Sequence, residues 1–182
     1  MEPQETFVKL KKAIRLIVDK YGTSKIKYAV IPFGALPVTK ISFEDKFPNV
    51  DSLKQAIQGI IRPQENGNLK KLLTEAKGLF TRSSARPWAK KVLLVVMDKK
   101  STSKLQEVKD EANLLKEDGV KIVAVALGKS FDSDELESVT SNRGYLIKAP
   151  KNRKAETLAN LFMDAILKGK VLIQFLCEIK RF

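Results

Sequence analysis

The stretch Lys90-Lys91-Val92-Leu93-Leu94-Val95-Val96-Met97-Asp98-Lys99-Lys100-Ser101 decides the fold. Its apolar run ends abruptly in an acid and then a basic loop. A second run, Val120-Lys121-Ile122-Val123-Ala124-Val125-Ala126-Leu127-Gly128, follows, and between the two Leu105, Val108, Ala112 and Leu115 recur at helical spacing. Strand, helix, strand with two near-continuous apolar strands predicts a parallel sheet covered on both faces. Ligands of such sheets sit where the strands end, and Asp98 stands at an end of that kind.

The pattern continues in both directions. Upstream, Phe7, Leu10, Ile14, Ile17, Val18 and Tyr21 form one apolar helical stripe, which Gly22 ends. Ile26 to Phe33 reads as a strand, and Val38, Ile41 and Phe43 as a short partner beside it in a hairpin-like pair. Asp51 is the expected N-cap of a helix carrying Leu53, Ala56, Ile57 and Ile60. Arg62 to Asn68 is a loop, Leu69 to Phe80 another amphipathic helix, and Ser83 to Pro87 a basic, small-residue loop. Downstream lie a short helix from Asp132 to Val139, a short strand Tyr145-Leu146-Ile147, and a last amphipathic helix around Leu158, Leu161, Phe162, Ala165 and Ile166. The order predicts an α/β domain of three layers, doubly wound, with a mostly parallel sheet and helices on both faces.

Composition narrows the chemistry. The 182 residues fit one domain, large enough to bury a core without disulfides. No apolar run is long enough to span a membrane, so no membrane insertion is expected. No signal peptide is visible in Met1 to Thr6. The chain has no histidine, which excludes histidine-based acid–base catalysis and histidine-ligated metals. Its single cysteine, Cys177, reads as a small core residue, and no glycine-rich phosphate loop or enzyme constellation is present. Asp132, Asp134, Glu135 and Glu137 read as a solvated helix start, well placed for the helix dipole.

Charge is strongly uneven. The net is +13, and residues 61–104 hold eleven Lys/Arg against three Asp/Glu, whereas residues 105–147 hold five against nine. A basic flank of that kind attracts polyanions. Lys70, Lys71, Lys77, Arg82, Arg86, Lys90 and Lys91 are the candidate polyanion-binding residues.

Taken in order, these segments resemble a von Willebrand factor type A domain of the matrix type, as in collagen-associated A domains and matrilins. The residues that carry the resemblance are Thr6 to Lys12, Ile26 to Phe33, Asp51 to Ile57, Phe80 to Val92 and, most specifically, Asp118 to Gly128. The resemblance implies the family's metal-ion-dependent adhesion site: Asp-x-Ser-x-Ser after the first strand, a Thr before the third helix, and an Asp at the end of the fourth strand. Such oxygen ligands suit a hard cation. Here the first strand and its motif are absent, the threonine's neighbourhood reads Glu65-Asn66-Gly67-Asn68-Leu69, and only Asp98 persists, beside Lys99 and Lys100. No metal and no cofactor is therefore expected.

The resemblance implies a non-enzymatic interaction or adhesion module of a secreted extracellular-matrix protein, of which this sequence is a fragment. Its expected partners are matrix proteins or acidic polymers such as sulfated glycans and acidic proteins. The alternative is an intracellular scaffold of the same fold that binds nucleic acid or acidic proteins. Residues 1–170 are expected to form the incomplete domain. Within residues 171–182, the apolar run Val171–Cys177 has two readings: a replacement for the missing first strand, parallel to Val92–Val96, or an extension of the last helix or an unpaired tail.

Overall fold

Along strand β1 (Lys90–Met97), successive side chains alternate between two cores. Val92, Leu94 and Val96 face helices α1 (Pro3–Tyr21), α2 (Val50–Gly59) and α6 (Ala155–Leu167). Leu93, Val95 and Met97 face α3 (Leu69–Thr81), α4 (Leu105–Glu117) and α5 (Ser133–Val139). Strand β2 (Val120–Leu127) is buried along nearly its whole length, as both covered faces require. The computed structural model describes residues 3–24, 26–82, 89–150, 152–167 and 177–179. Two further strands, β3 (Leu146–Ala149) and β4 (Cys177–Ile179), complete a sheet of order β3-β2-β1-β4. β1 with β2 and β2 with β3 are parallel, in the registers Leu94↔Val123 and Val125↔Ile147. This is the expected three-layer, doubly wound α/β architecture. Among the described residues, no helix is long and apolar enough to cross a membrane.

Local chemistry sets the element ends. Asn49, not Asp51, caps α2: its side-chain oxygen accepts the Ser52 N–H at 2.9 Å, while the Asn49 N–H reaches the Ser52 hydroxyl. Asp51 instead sits in the first turn, where its charge suits the helix dipole. At the other end of α2, the buried Lys11 ammonium donates to the Gln58 and Ile60 carbonyls at 2.6 and 3.0 Å. A cation there satisfies backbone oxygens left over by the helix and ties α1 to α2.

Two sequence expectations change. Ile26 to Phe33 is not a ladder strand. Ile26 and Val30 make isolated bridges, Val30 pairing antiparallel with Ile41, so the hairpin-like pair shrinks to a single bridge with N–H···O distances of 2.8 to 3.3 Å. The physical reason is that no strand among the described residues lies beside it. Between this segment and β1 lies a cavity of about 230 Å³, lined by Phe7, Leu10, Ile14, Val30, Leu94 and Val96 among others. No strand described there gives the segment a ladder, and the buried Thr6 hydroxyl on the cavity wall finds no partner among the described residues.

The C-terminal run is the second change. Cys177–Ile179 pairs antiparallel, not parallel, with Lys90–Val92 (Val92↔Cys177, Lys90↔Ile179). The edge groups of β1 are satisfied either way, and the antiparallel ladder does so with the less slanted hydrogen bonds. Residues 171–176 lie outside the described residues, as do Ser83 to Pro87 of the expected basic loop.

The α4–β2 turn yields a direct test. Gly119 has φ +77°, and an added Cβ there would meet no atom within 4 Å. A Gly119→Ala substitution therefore costs only the left-handed backbone strain, about 1 kcal/mol, read as a lower midpoint in urea denaturation at unchanged m-value.

Candidate functional site

The end of β1 is stitched to the start of α3. The Leu69 N–H donates to the Ser101 hydroxyl oxygen at 3.1 Å, the Lys70 N–H to that of Ser103 at 3.0 Å, and the Lys71 N–H to the Asn68 side-chain oxygen at 2.9 Å. The Ser103 hydroxyl donates back to the Asn68 oxygen at 3.1 Å, and the Thr102 N–H reaches the Gly67 carbonyl at 3.0 Å. The first N–H groups of a helix are normally orphans that welcome an anion. Here side chains of two loops already occupy three of them.

The acidic cluster is less solvated than the sequence suggests. Asp132 caps α5, accepting the Asp134 and Glu135 N–H groups at 3.1 and 3.2 Å, and pairs with Lys100 at 2.8 Å. That pairing, with the capped N–H of Glu135, holds the Asp132 carboxyl below its ordinary range, and Lys100 is raised in turn. Glu135 is only 3% exposed, contrary to its reading as part of a solvated helix start. Its carboxylate accepts the Ser101 N–H at 3.3 Å, and burial raises its pKa above the ordinary value. The helical repeat explains the burial: Glu135 precedes Leu136 and Val139 on the inner side of a short helix packed on α4. The loop residues that organise this site, Asn68, Ser101 and Ser103, were not among the sequence candidates, and Glu135 of α5 was read only as part of a solvated helix start. Asn68 immediately before an apolar helical run is a cap signal that could have found one of them.

Asp98 is half-buried at the end of β1, followed by exposed Lys99 and Lys100. These surroundings do not fit a divalent cation. The Ser101, Ser103 and Asn68 oxygens already accept backbone hydrogen bonds, and Lys100 adds positive charge. Among the described residues no three His, Cys, Asp or Glu side chains converge as a ligand group. A hard cation needs about six oxygens.

The candidate basic residues separate into two groups. Lys70 and Lys71 sit in the first turn of α3, beside the loop that follows β1. Lys77 and Arg82 lie toward the other end of α3, about 16 Å along the axis from Lys71 to Arg82 at 1.5 Å per residue. The chain returns to β1 there, so Lys90 and Lys91 share that end. Lys91 stands opposite Glu178 in the β1–β4 register. Arg86 lies outside the described residues. Lys70, Lys71, Lys77, Arg82 and Lys90 form no ion pair with a described side chain, whereas Lys9, Lys12, Lys54, Lys100 and Lys104 each have an acidic partner.

The family model for the von Willebrand factor type A domain matches residues 2–161. Among solved structures, the chain is similar to proximal thread matrix protein 1 from the mussel byssus, with a zinc-occupied MIDAS motif. The two are 20% identical with a TM-score of 0.72, over 94% of this chain and 41% of that one. It is similar to a von Willebrand factor type A protein from Catenulispora acidiphila at 15% identity and a TM-score of 0.70, over 89% of this chain and 38% of that one. The manganese-loaded Plasmodium vivax TRAP protein is 13% identical with a TM-score of 0.66, over 96% of this chain and 69% of that one. At these identities the likeness shows the fold. The chain spans about two fifths of the length of the mussel protein.

The buried carboxylate supplies a pH test. Because its folded pKa is raised, ionised Glu135 costs stability as the pH rises above the ordinary value of 4.5; below that value, both states are protonated and the cost vanishes. Glu135→Gln keeps an oxygen for the Ser101 N–H and removes the charge. Its melting temperature is expected to exceed that of the parent chain at pH 7, with the difference closing as the pH falls below 4.5.

Proposed function

We propose, on the premise that the chain belongs to the von Willebrand factor type A domain family, that it is a metal-independent adhesion module of an extracellular-matrix protein, binding acidic partners through a basic face. The family is one of protein-interaction and adhesion modules, generally without enzymatic activity. The observation that carries the reading is the set Lys70, Lys71, Lys77, Arg82 and Lys90. These cations have no acidic partner among the described residues, whereas five lysines elsewhere in the chain do. Ammonium and guanidinium groups without such a partner supply long-range attraction to sulfated glycans and acidic matrix proteins. Likeness to a thread matrix protein supports a secreted, matrix setting.

Two ends of one helix suit an extended polyanion better than a compact anion. The roughly 16 Å between them exceeds the Debye length of about 10 Å at 0.1 M salt, so each end acts as its own contact. Metal independence is supported by the sealed α3 start and by the lysines around Asp98.

Binding to immobilised heparin is expected to weaken at least about tenfold between 50 and 200 mM salt. The Lys77→Ser, Arg82→Ser, Lys90→Ser triple variant should elute at clearly lower salt, and adding Lys70→Ser and Lys71→Ser should lower it further. Unchanged elution would reduce these residues to a solvated face. Stronger retention on duplex DNA than on heparin at equal salt would favour the nucleic-acid scaffold.

Calorimetric melting tests the metal statement. Millimolar Mg²⁺ or Ca²⁺ should leave the melting temperature unchanged, since an ion that does not bind the native state cannot stabilise it. A rise that is lost on Asp98→Ala would overturn it.

A further inference from the structure

The contact between the β1 loop and α5 contains a buried acid that polyanion binding does not use. Glu135 is 3% exposed and Ser101 7%, so their contact is closed to water. Ser101 is the hub. Its hydroxyl oxygen accepts the Leu69 N–H at 3.1 Å and the Ser103 N–H at 2.9 Å, which takes both lone pairs. Only the hydroxyl proton is left to offer, and the Glu135 carboxylate is the acceptor beside it. The same carboxylate accepts the Ser101 N–H at 3.3 Å. Through Ser101, one side chain of α5 thereby ties down both the loop 98–104 and the first turn of α3.

The charge on Glu135 is poorly compensated. A buried carboxylate is tolerated where a cation or several donors surround it. Glu135 has the two donors of a single residue, and it forms no ion pair with a described residue. Lys100, the cation that acts on it, is committed to Asp132 at 2.8 Å, and the Asp132 charge repels that of Glu135. The other charges around α5 are engaged elsewhere or have the same sign. Lys116 of α4 donates to the Ser138 carbonyl at 3.0 Å, and Lys148 of β3 to the Ser133 hydroxyl at 3.2 Å. Lys104 lies 3.9 Å from Glu107 at the start of α4. Asp134 and Glu137 of α5 are exposed and negative, and β2 is buried with apolar side chains. Burial therefore outweighs the hydrogen bonds from Ser101 and raises the Glu135 carboxyl above its ordinary value.

We propose that Glu135 is a proton-operated latch: as the neutral acid it lets the loop 98–104 and the start of α3 stay fastened to α5, and its ionisation loosens them. The ionised carboxylate gains by reaching water, and it reaches water only when Ser101 withdraws from it. An open junction of that kind returns Glu135 to its ordinary value of 4.5, whereas the closed junction holds it higher. The open population therefore grows as the pH rises from 4.5 through the closed-state value, and it is constant outside that interval. Lys70 and Lys71 ride on the first turn of α3, so the latch also sets how firmly that end of the basic face is held. This last consequence rests on the polyanion reading; the latch does not.

Amide hydrogen exchange on the full chain tests the latch. Protection factors, which remove the intrinsic pH dependence of exchange, should fall at least about threefold between about pH 4 and pH 7 at Leu69, Ser101 and Ser103. These amides should also exchange faster than that of Val123 in β2, which opens only with the whole fold. In Glu135→Gln the fall should vanish. Glu137→Gln, an exposed site with the same change of charge, should keep it. Protection that does not vary with pH in the parent chain, an equal fall in Glu135→Gln, or exchange at the Val123 rate throughout would each overturn the proposal. On immobilised heparin at pH 7, Glu135→Gln should elute at higher salt than Glu137→Gln. Equal elution beside the expected exchange pattern would leave the latch standing and remove the polyanion reading from this end of α3.

Discussion

The parallel pairing of β1 with β2 is the constraint on which the rest of the structure depends. A strand buried on both faces must carry apolar side chains on both, and Val92 to Met97 and Val120 to Leu127 do. Once the two strands pair in parallel, α4 has to cross back over one face to connect them. Its stripe Val108, Ala112 and Leu115 then seals that face together with α3 and α5. The opposite face is left for α1, α2 and α6, which meet around Ile17, Ile57 and Phe162. Most charged residues lie on helix surfaces and at strand ends, while Lys11 and Glu135 are buried.

The same pairing explains why hydrogen-bonded loops converge at the β1 end. A strand end in such a sheet gathers loops and helix starts, with their unpaired N–H groups. In this chain Ser101, Ser103 and Asn68 satisfy those groups internally, and the buried Glu135 carboxylate holds the loop from below through the Ser101 N–H. Lys99 and Lys100 add positive charge where a cation would have to sit, and Lys100 is held by Asp132. Oxygen atoms committed to hydrogen bonds and neighbouring ammonium groups act in the same direction. Away from this junction, α3 and the start of β1 carry Lys70, Lys71, Lys77, Arg82 and Lys90 without acidic partners among the described side chains.

On the other side of β1, the segment Ile26 to Phe33 has no strand beside it among the described residues. Ile26 to Phe33 has the alternation of a strand, yet only single bridges form, because a ladder needs a second backbone at about 4.8 Å. Extended sequence preference is satisfied without sheet structure. Lys11 compensates locally by capping α2 through the Gln58 and Ile60 carbonyls, holding α1 beside the cavity independently of any strand.

The sequence by itself determined the layers. Period-two and period-3.6 apolar patterns at Val92–Val96, Val120–Leu127, Leu69–Phe80 and Leu105–Leu115 each have one arrangement that buries them, and their order leaves a doubly wound parallel sheet. It also showed that Asp98 stands at a strand end with lysines after it. Only the tertiary structure decided which N–H groups those loops satisfy, that Glu135 is buried while its acidic neighbours are not, that the basic residues divide between two ends of α3, and that β4 runs against β1. Periodicity records which face of an element is buried. Loop hydrogen bonds, strand direction and the distance between charges on one helix depend on how separate segments meet, and that is set by packing between residues far apart in the chain.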